Sequence, residues 1–108
     1  MMYDKNNVFA KIIRGEIPAD KIYEDDYALA FYNIAPESKI HALVIPKGEF
    51  INIYDFTENA STELQTGFWN AVNQTVYKLG VTEFRTVANT GKSSGQTVFH
   101  FHVHIMAN

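Results

Sequence analysis

Residues 96–106 read Gln96-Thr97-Val98-Phe99-His100-Phe101-His102-Val103-His104-Ile105-Met106, so three histidines alternate with large apolar residues. A strand repeats every two residues and would put His100, His102 and His104 on one face. Phe99, Phe101, Val103 and Ile105 would fall on the other. Such a segment has an apolar back that can enter a core and a front made of imidazoles. Imidazole acts near neutral pH as nucleophile, proton carrier or metal ligand. As plain surface, the row has no advantage over Lys, Glu or Thr. As plain core, each ring would need a polar partner.

Two chemistries fit these residues. A His-x-His pair on a strand can give zinc two ligands, with a third from elsewhere completing an open site. His41 is the only other histidine, there is no cysteine, and no acidic residue adjoins the three rings in sequence. The second chemistry is covalent phosphoryl or nucleotidyl transfer, in which a neutral imidazole attacks phosphorus and forms an N–P bond that water can break. That route needs an acceptor to fix the tautomer of the attacking ring, donors for the phosphate oxygens and a proton for the leaving group. A neighbouring carbonyl or imidazole could orient the central His102. Gly91 to Thr97 is small and polar, so its backbone N–H groups could approach an anion closely. His104 could donate. Gly91-Lys92-Ser93 looks like the end of a phosphate-binding P-loop. That motif needs a glycine at position 86, which is Thr86, and a helix afterwards, where a strand is expected.

The elements that must position these residues follow from periodicity. Val8–Arg14 has helical spacing and Gly15 is a plausible stop. Residues 21–23 and 27–32 read as a hairpin around Glu24-Asp25-Asp26, and His41–Ile45 as a short apolar strand closed by Pro46-Lys47-Gly48. Asn33–Lys39 is a loop. Leu64, Phe68, Ala71, Val72, Val76 and Leu79 form one stripe of a long helix, with Asn59 or Ser61 as its N-cap and Gly80 as its C-cap glycine. Phe84–Ala88 and Val98–Ile105 are the fourth and fifth strands, and can pair as a hairpin across the Gly/Ser loop Asn89–Gln96. The fold class is α+β: a largely antiparallel five-stranded sheet with one long and one short helix.

With 108 residues, 46% hydrophobic and 19% charged, the sequence describes one globular domain over residues 1–108. The net charge of −3 and the lack of a basic tract argue against nucleic acid as a partner. No signal peptide and no membrane-spanning run is visible, and the absence of cysteine fits a reducing compartment, so a cytoplasmic protein is expected.

His100-Phe101-His102-Val103-His104-Ile105-Met106 fits the His-φ-His-φ-His-φ-φ pattern, φ being apolar, of the histidine-triad (HIT) superfamily. Phe9–Pro18, Tyr23–Asp26, His41–Lys47 and Gly95–Phe99 resemble its nucleotide-binding, phosphoramidase-like branch, so the resemblance covers most of the chain. It implies a HIT-like fold, a homodimer whose two sheets join, and hydrolysis of nucleoside 5′-phosphoramidates of purine (AMP- or GMP-type) nucleotides, with no cofactor and no metal. It implies that His102 is the nucleophile, that His100 supports and orients it with His41 behind in a relay, and that His104 and Thr97 meet the phosphate or leaving group. Asn89 and the backbone around Gly95 and Gln96 would hold the phosphate. Phe9, Ile12, Phe31, Ile34 and Leu43 would form a slot for the base.

Asn33 stands where the family usually has an aspartate accepting both ribose hydroxyls. An asparagine, with one oxygen acceptor and an NH₂ donor, reproduces only part of that. Thr97 replaces the commoner serine and keeps the hydroxyl. Many relatives continue with a glycine-rich, Trp-bearing tail on the leaving-group side, which is expected to be missing after Asn108. Some relatives carry a zinc-binding Cys-x-x-Cys pair, for which Asn7 and Ala10 stand here. The same superfamily includes dinucleoside polyphosphate hydrolases and nucleotidyl transferases, and a binding module with little catalysis is a further alternative.

Overall fold

A computed structural model describes residues 1–108. The element order is α1 (Val8–Ile13), β1 (Lys21–Glu24), β2 (Ala28–Tyr32), β3 (Ile40–Pro46), α2 (Ile53–Asn59), α3 (Thr62–Leu79), β4 (Arg85–Val87) and β5 (Val103–Ala107). The strands form one antiparallel sheet in the order β1-β2-β3-β5-β4.

The strands alternate what they show to each side. Ala28, Ala30, Ala42, Val44, Val103 and Ile105 join Phe56, Phe68, Ala71, Val72 and Val76 in one buried cluster under α2 and α3. Leu29, Phe31, Leu43 and Ile45 point the other way and pack with Phe9 and Ile12 of α1. The small alanines let α3 lie close to the sheet. At Gly67 of α3 any Cβ would collide with the ring of Tyr27, so glycine permits that approach. The turn between β1 and β2 is tied by Asp25, whose Oδ1 accepts from the N–H groups of Tyr27 (2.8 Å) and Ala28 (2.9 Å).

Capping defines the helices. Asn7 Oδ1 accepts from Ala10 N–H at 2.9 Å, and Ser61 Oγ from Leu64 N–H at 3.0 Å, so Ser61 rather than Asn59 begins the long helix. Gly80 ends it in the left-handed region at φ 70°. Helix α2 is an additional element. It is about two turns long with only Phe56 buried, too short for periodicity to reveal.

The last strand differs most from its sequence pattern. It starts at Val103, not Val98: Val44 pairs with Val103 as the last rung of that ladder, while Ile45 and Pro46 continue β3 paired to β2 alone. Residues 98–102 run on without a strand partner. Their alternation persists all the same. Phe101 enters the α3-side cluster and His102 faces α1. Phe99, expected on the apolar back, lies outside that cluster and is only partly buried. No helix is long and apolar enough to cross a membrane.

Candidate active site

The α1 face carries a cavity of about 280 Å³. Phe9, Ile12, Phe31, Asn33, Ile34 and Leu43 line it together with Thr97, His102 and His104, so the expected base slot and two of the three triad rings share one space. Sequence reasoning missed Val8, Ile17, Pro18, Ala19, Asp20, Tyr32 and Val98, which complete the wall. Most of these come from the stretch around Pro18, whose return beneath α1 has no periodic signature. Asp20 is the one acidic residue of the lining. A larger, more open groove of about 490 Å³ lies at the β4 edge among Glu37, Arg85 and Asn108, and no histidine lines it.

His102 is nearly buried, and the edge of its ring meets that of Phe9 with centroids 4.9 Å apart. Its Nδ1 lies 2.7 Å from the carbonyl oxygen of His100. A carbonyl only accepts, so Nδ1 carries the proton and Nε2 is left with a lone pair. The support expected from His100 thus comes from its backbone. The His100 ring turns away and bonds the Pro46 carbonyl through Nε2 at 2.9 Å.

His104 has the opposite polarity, and a relay fixes it. The N–H of Glu37 donates to His41 Nδ1 at 3.0 Å. Neutral His41 therefore carries its proton on Nε2, which lies 2.8 Å from His104 Nδ1. His104 Nδ1 accepts, so the proton of its neutral ring sits on Nε2. His41 accordingly stands behind His104, not behind His100 as the relay was expected to run. The rings of His102 and His104 are 5.0 Å apart, one with a bare Nε2 and the other with an Nε2–H.

Burial holds all four rings below the ordinary imidazole range. His100 is pushed down to about 4, chiefly by desolvation against the opposing hydrogen bond to Pro46. His104 is also pushed down to about 4, by desolvation and then by the neighbouring His102 and His41. Desolvation lowers His102 against its bond to the His100 carbonyl, and it lowers His41 against the attraction of Glu37. Neutral rings are thus the resting state near pH 7, which is what the tautomer assignments require.

The loop before the triad is built by Gln96. Its buried amide donates to the carbonyls of Ile51 (2.7 Å) and Val98 (3.2 Å), and its Oε1 accepts from Gly91 N–H at 2.9 Å. The backbone N–H groups of Gly95 and Gln96 are spent inside the loop on Lys92 and Gly91. These two residues, expected to hold phosphate, instead shape the turn. The N–H groups of Thr97 and Val98 donate to no backbone carbonyl in the chain, and both residues line the cavity. Asn89 packs beside Gly95 and does not line the cavity. Asn33 Oδ1 accepts from Ala35 N–H at 2.9 Å, and its Nδ2 lies 3.3 Å from His41 Nε2. Its only side-chain oxygen is thus already engaged within the chain. No three His, Cys, Asp or Glu side chains converge as a metal ion would need.

Comparison with known proteins agrees with this architecture. The HIT domain family matches residues 14–108. An uncharacterized HIT-like protein of Rickettsia prowazekii is 45% identical over 107 residues, covering 97% of this chain and 89% of that protein. The protein named hit of Bacillus subtilis is 41% identical over 107 residues, 94% of this chain and 70% of its own length. Among solved structures, a HIT family hydrolase from Clostridium thermocellum superposes with a TM-score of 0.88 at 33% identity, covering 97% of this chain and 92% of that one. A histidine triad protein from Clostridium difficile gives a TM-score of 0.86 at 35% identity, covering 99% of this chain and 94% of that one. By sequence and fold alike, this chain belongs to the HIT domain family.

Proposed function

We propose that this protein is a nucleotide-binding hydrolase that cleaves nucleoside 5′-phosphoramidates through a covalent His102–nucleotide intermediate. The observation that carries this reading is the pair of opposite tautomers at His102 and His104, aimed at one cavity. Structural relatives named HIT family hydrolases support a hydrolase more generally. In the first step the Nε2 lone pair of His102 bonds to phosphorus as the P–N bond breaks. His104 Nε2–H donates a hydrogen bond to the leaving nitrogen, and a proton from solvent completes the amine. Water then attacks phosphorus, which releases the mononucleotide and restores neutral His102. The N–H groups of Thr97 and Val98, which have no backbone acceptor in the chain, and the Thr97 hydroxyl would stabilise the phosphate oxygens. Phe9, Ile12, Phe31 and Leu43 make an apolar slot suited to a purine ring.

We further propose a homodimer that joins two sheets at β4 and works in the cytoplasm. β4 is an edge strand, and Phe84 beside it and Trp69 on α3 are exposed. Sedimentation would test the dimer, and a monomer at micromolar concentration would overturn it.

Mass spectrometry after brief incubation with adenosine 5′-phosphoramidate tests the chemistry. The expected result is a mass increase of one mononucleotide on His102. Turnover with no adduct in the wild type, and unchanged turnover in His102→Ala, would reject the mechanism. Faster cleavage of a dinucleoside polyphosphate than of the phosphoramidate would move the assignment to that substrate class. Tight nucleotide binding with no turnover of either would make the chain a binding module.

A further inference from the structure

His100 is the one triad ring that the cavity does not reach, and the proposed chemistry uses only its carbonyl. The ring is nevertheless fully buried, and both its nitrogens are bonded. The Pro46 carbonyl, 2.9 Å from Nε2, can only accept, so the ring proton sits there. Nδ1 is then a lone pair, and Tyr3 Oη lies 2.6 Å from it, the two rings edge-on with centroids 5.7 Å apart. Tyr3 arrives from the segment ahead of α1, 97 residues away in sequence. That segment is itself tied down. Asn7 N–H donates to the Asp4 carbonyl (3.1 Å), Asn6 N–H to Asp4 Oδ1 (2.8 Å) and the Arg14 guanidinium to the Lys5 carbonyl (2.9 Å).

We infer that Tyr3 is a positioning residue: its hydroxyl clamps the His100 ring against Pro46, and so holds in place the His100 carbonyl that orients the nucleophile His102. This rests on the proposed role of His102. Residue 100 belongs to no strand, so its location depends on such bonds, together with Phe101 N–H to the Phe50 carbonyl at 2.7 Å. Tyr3 does not line the substrate cavity, so it acts through His100 alone.

The clamp has an electrostatic consequence. A donor on Nδ1 occupies the lone pair that a proton would need. The groups facing His100 are the Tyr3 hydroxyl, the Pro46 carbonyl of β3 and His102 on its own segment. Arg14 after α1 and Glu49 after β3 line the same small cavity of about 150 Å³. Without the hydroxyl, Nδ1 is free to protonate, and a charged ring beside His102 would weaken the nucleophile.

The test compares wild type, Tyr3→Phe and Tyr3→Leu by imidazole ¹⁵N NMR across pH and by turnover of adenosine 5′-phosphoramidate. In Tyr3→Phe the His100 titration midpoint should rise by roughly half to one pH unit, the worth of one net hydrogen bond. Its kcat should fall about threefold to tenfold with KM changed less than about twofold. Tyr3→Leu should show the same shifts and a lower melting temperature, because the ring contact is lost as well. An unchanged His100 midpoint in both variants, or a rate loss that only follows the unfolded fraction, would overturn the inference. If the wild type turns over no phosphoramidate, the hydrolase reading fails. The NMR comparison then still decides the clamp, since unmoved His100 and His102 ring signals would refute it.

Discussion

On the α3 face of the sheet, Ala28, Ala30, Ala42 and Val44 share one buried cluster with Phe68, Ala71, Val72 and Val76, and three phenylalanine rings (Phe56, Phe68, Phe101) pack on one another at 4.9–5.3 Å. On the α1 face the same strands present Leu29, Phe31, Leu43 and Ile45, but the cover is a six-residue helix. An 18-residue helix can seal a sheet, whereas a six-residue one leaves an uncovered end. That end is the cavity, and His102 and His104 open onto it. One sheet thus keeps its packing energy behind and its polar groups in front, and the two can be perturbed separately.

The largest expected effect belongs to the front. His102→Ala should lower phosphoramidate turnover by roughly a thousandfold or more while the melting temperature moves only a few degrees. A variant that unfolds instead would mean the two faces are not separable. Behind the sheet, Phe68→Ala should cost about 3–5 kcal/mol in denaturant unfolding, because the ring is fully buried. Its kcat, measured on the folded fraction at low temperature, should stay near the wild-type value.

A smaller effect is expected within the front face. His41→Ala removes the donor that sets the His104 tautomer, and turnover should fall about tenfold to a hundredfold. Substrate affinity should change little, since His41 does not line the cavity. Equal losses in kcat and affinity would show that His41 supports binding instead.

Acid should touch the front first. The four imidazoles titrate below their unfolded value near 6.5, so the unfolded chain binds more protons than the native one below that pH. Their contribution to stability is complete above about 6.5 and is lost as pH falls below it, down to about 4 for His100 and His104, at no more than about 1.4 kcal/mol per pH unit for each buried ring. Urea midpoints between pH 7 and 4 measure this decline. His41→Ala should flatten it slightly and Phe68→Ala should not. The same burial shifts the acid limb of activity. From the free imidazole value, a decline below about pH 6 is expected, whereas buried His102 should keep its lone pair further into acid.

The alternating histidines and the stripe from Leu64 to Leu79 were readable because each repeats with a fixed period. So was the hairpin pairing of β4 with β5 across the Gly/Ser loop. Helix α2 was not readable, since it buries only Phe56. The start of β5 differs from the pattern because alternation reports which face a residue takes, not whether its backbone pairs with a neighbouring strand. Residues 98–102 keep the alternation and lack the partner. The lining residues Phe9, Ile12, Phe31 and Leu43 came from family resemblance and fall together in space. Gln96 read as a phosphate neighbour, whereas its side chain is a brace, because nothing in sequence shows that Ile51 lies beside it. Tyr3 carried no signal at all, being aromatic in a polar stretch far from its partner in the chain.

The opposed tautomers of His102 and His104 have a last consequence for how variation at this site should be read. Their polarity is written by main-chain atoms, the carbonyl of residue 100 and the amide of residue 37. Side chains at position 37 would therefore leave the tautomers unchanged, although the charge of Glu37 also favours the protonated form of His41. Proline is the exception, because it alone deletes the amide proton. A lineage that acquired it there would lose the bond that fixes the polarity of both His41 and His104 while every histidine stayed in place.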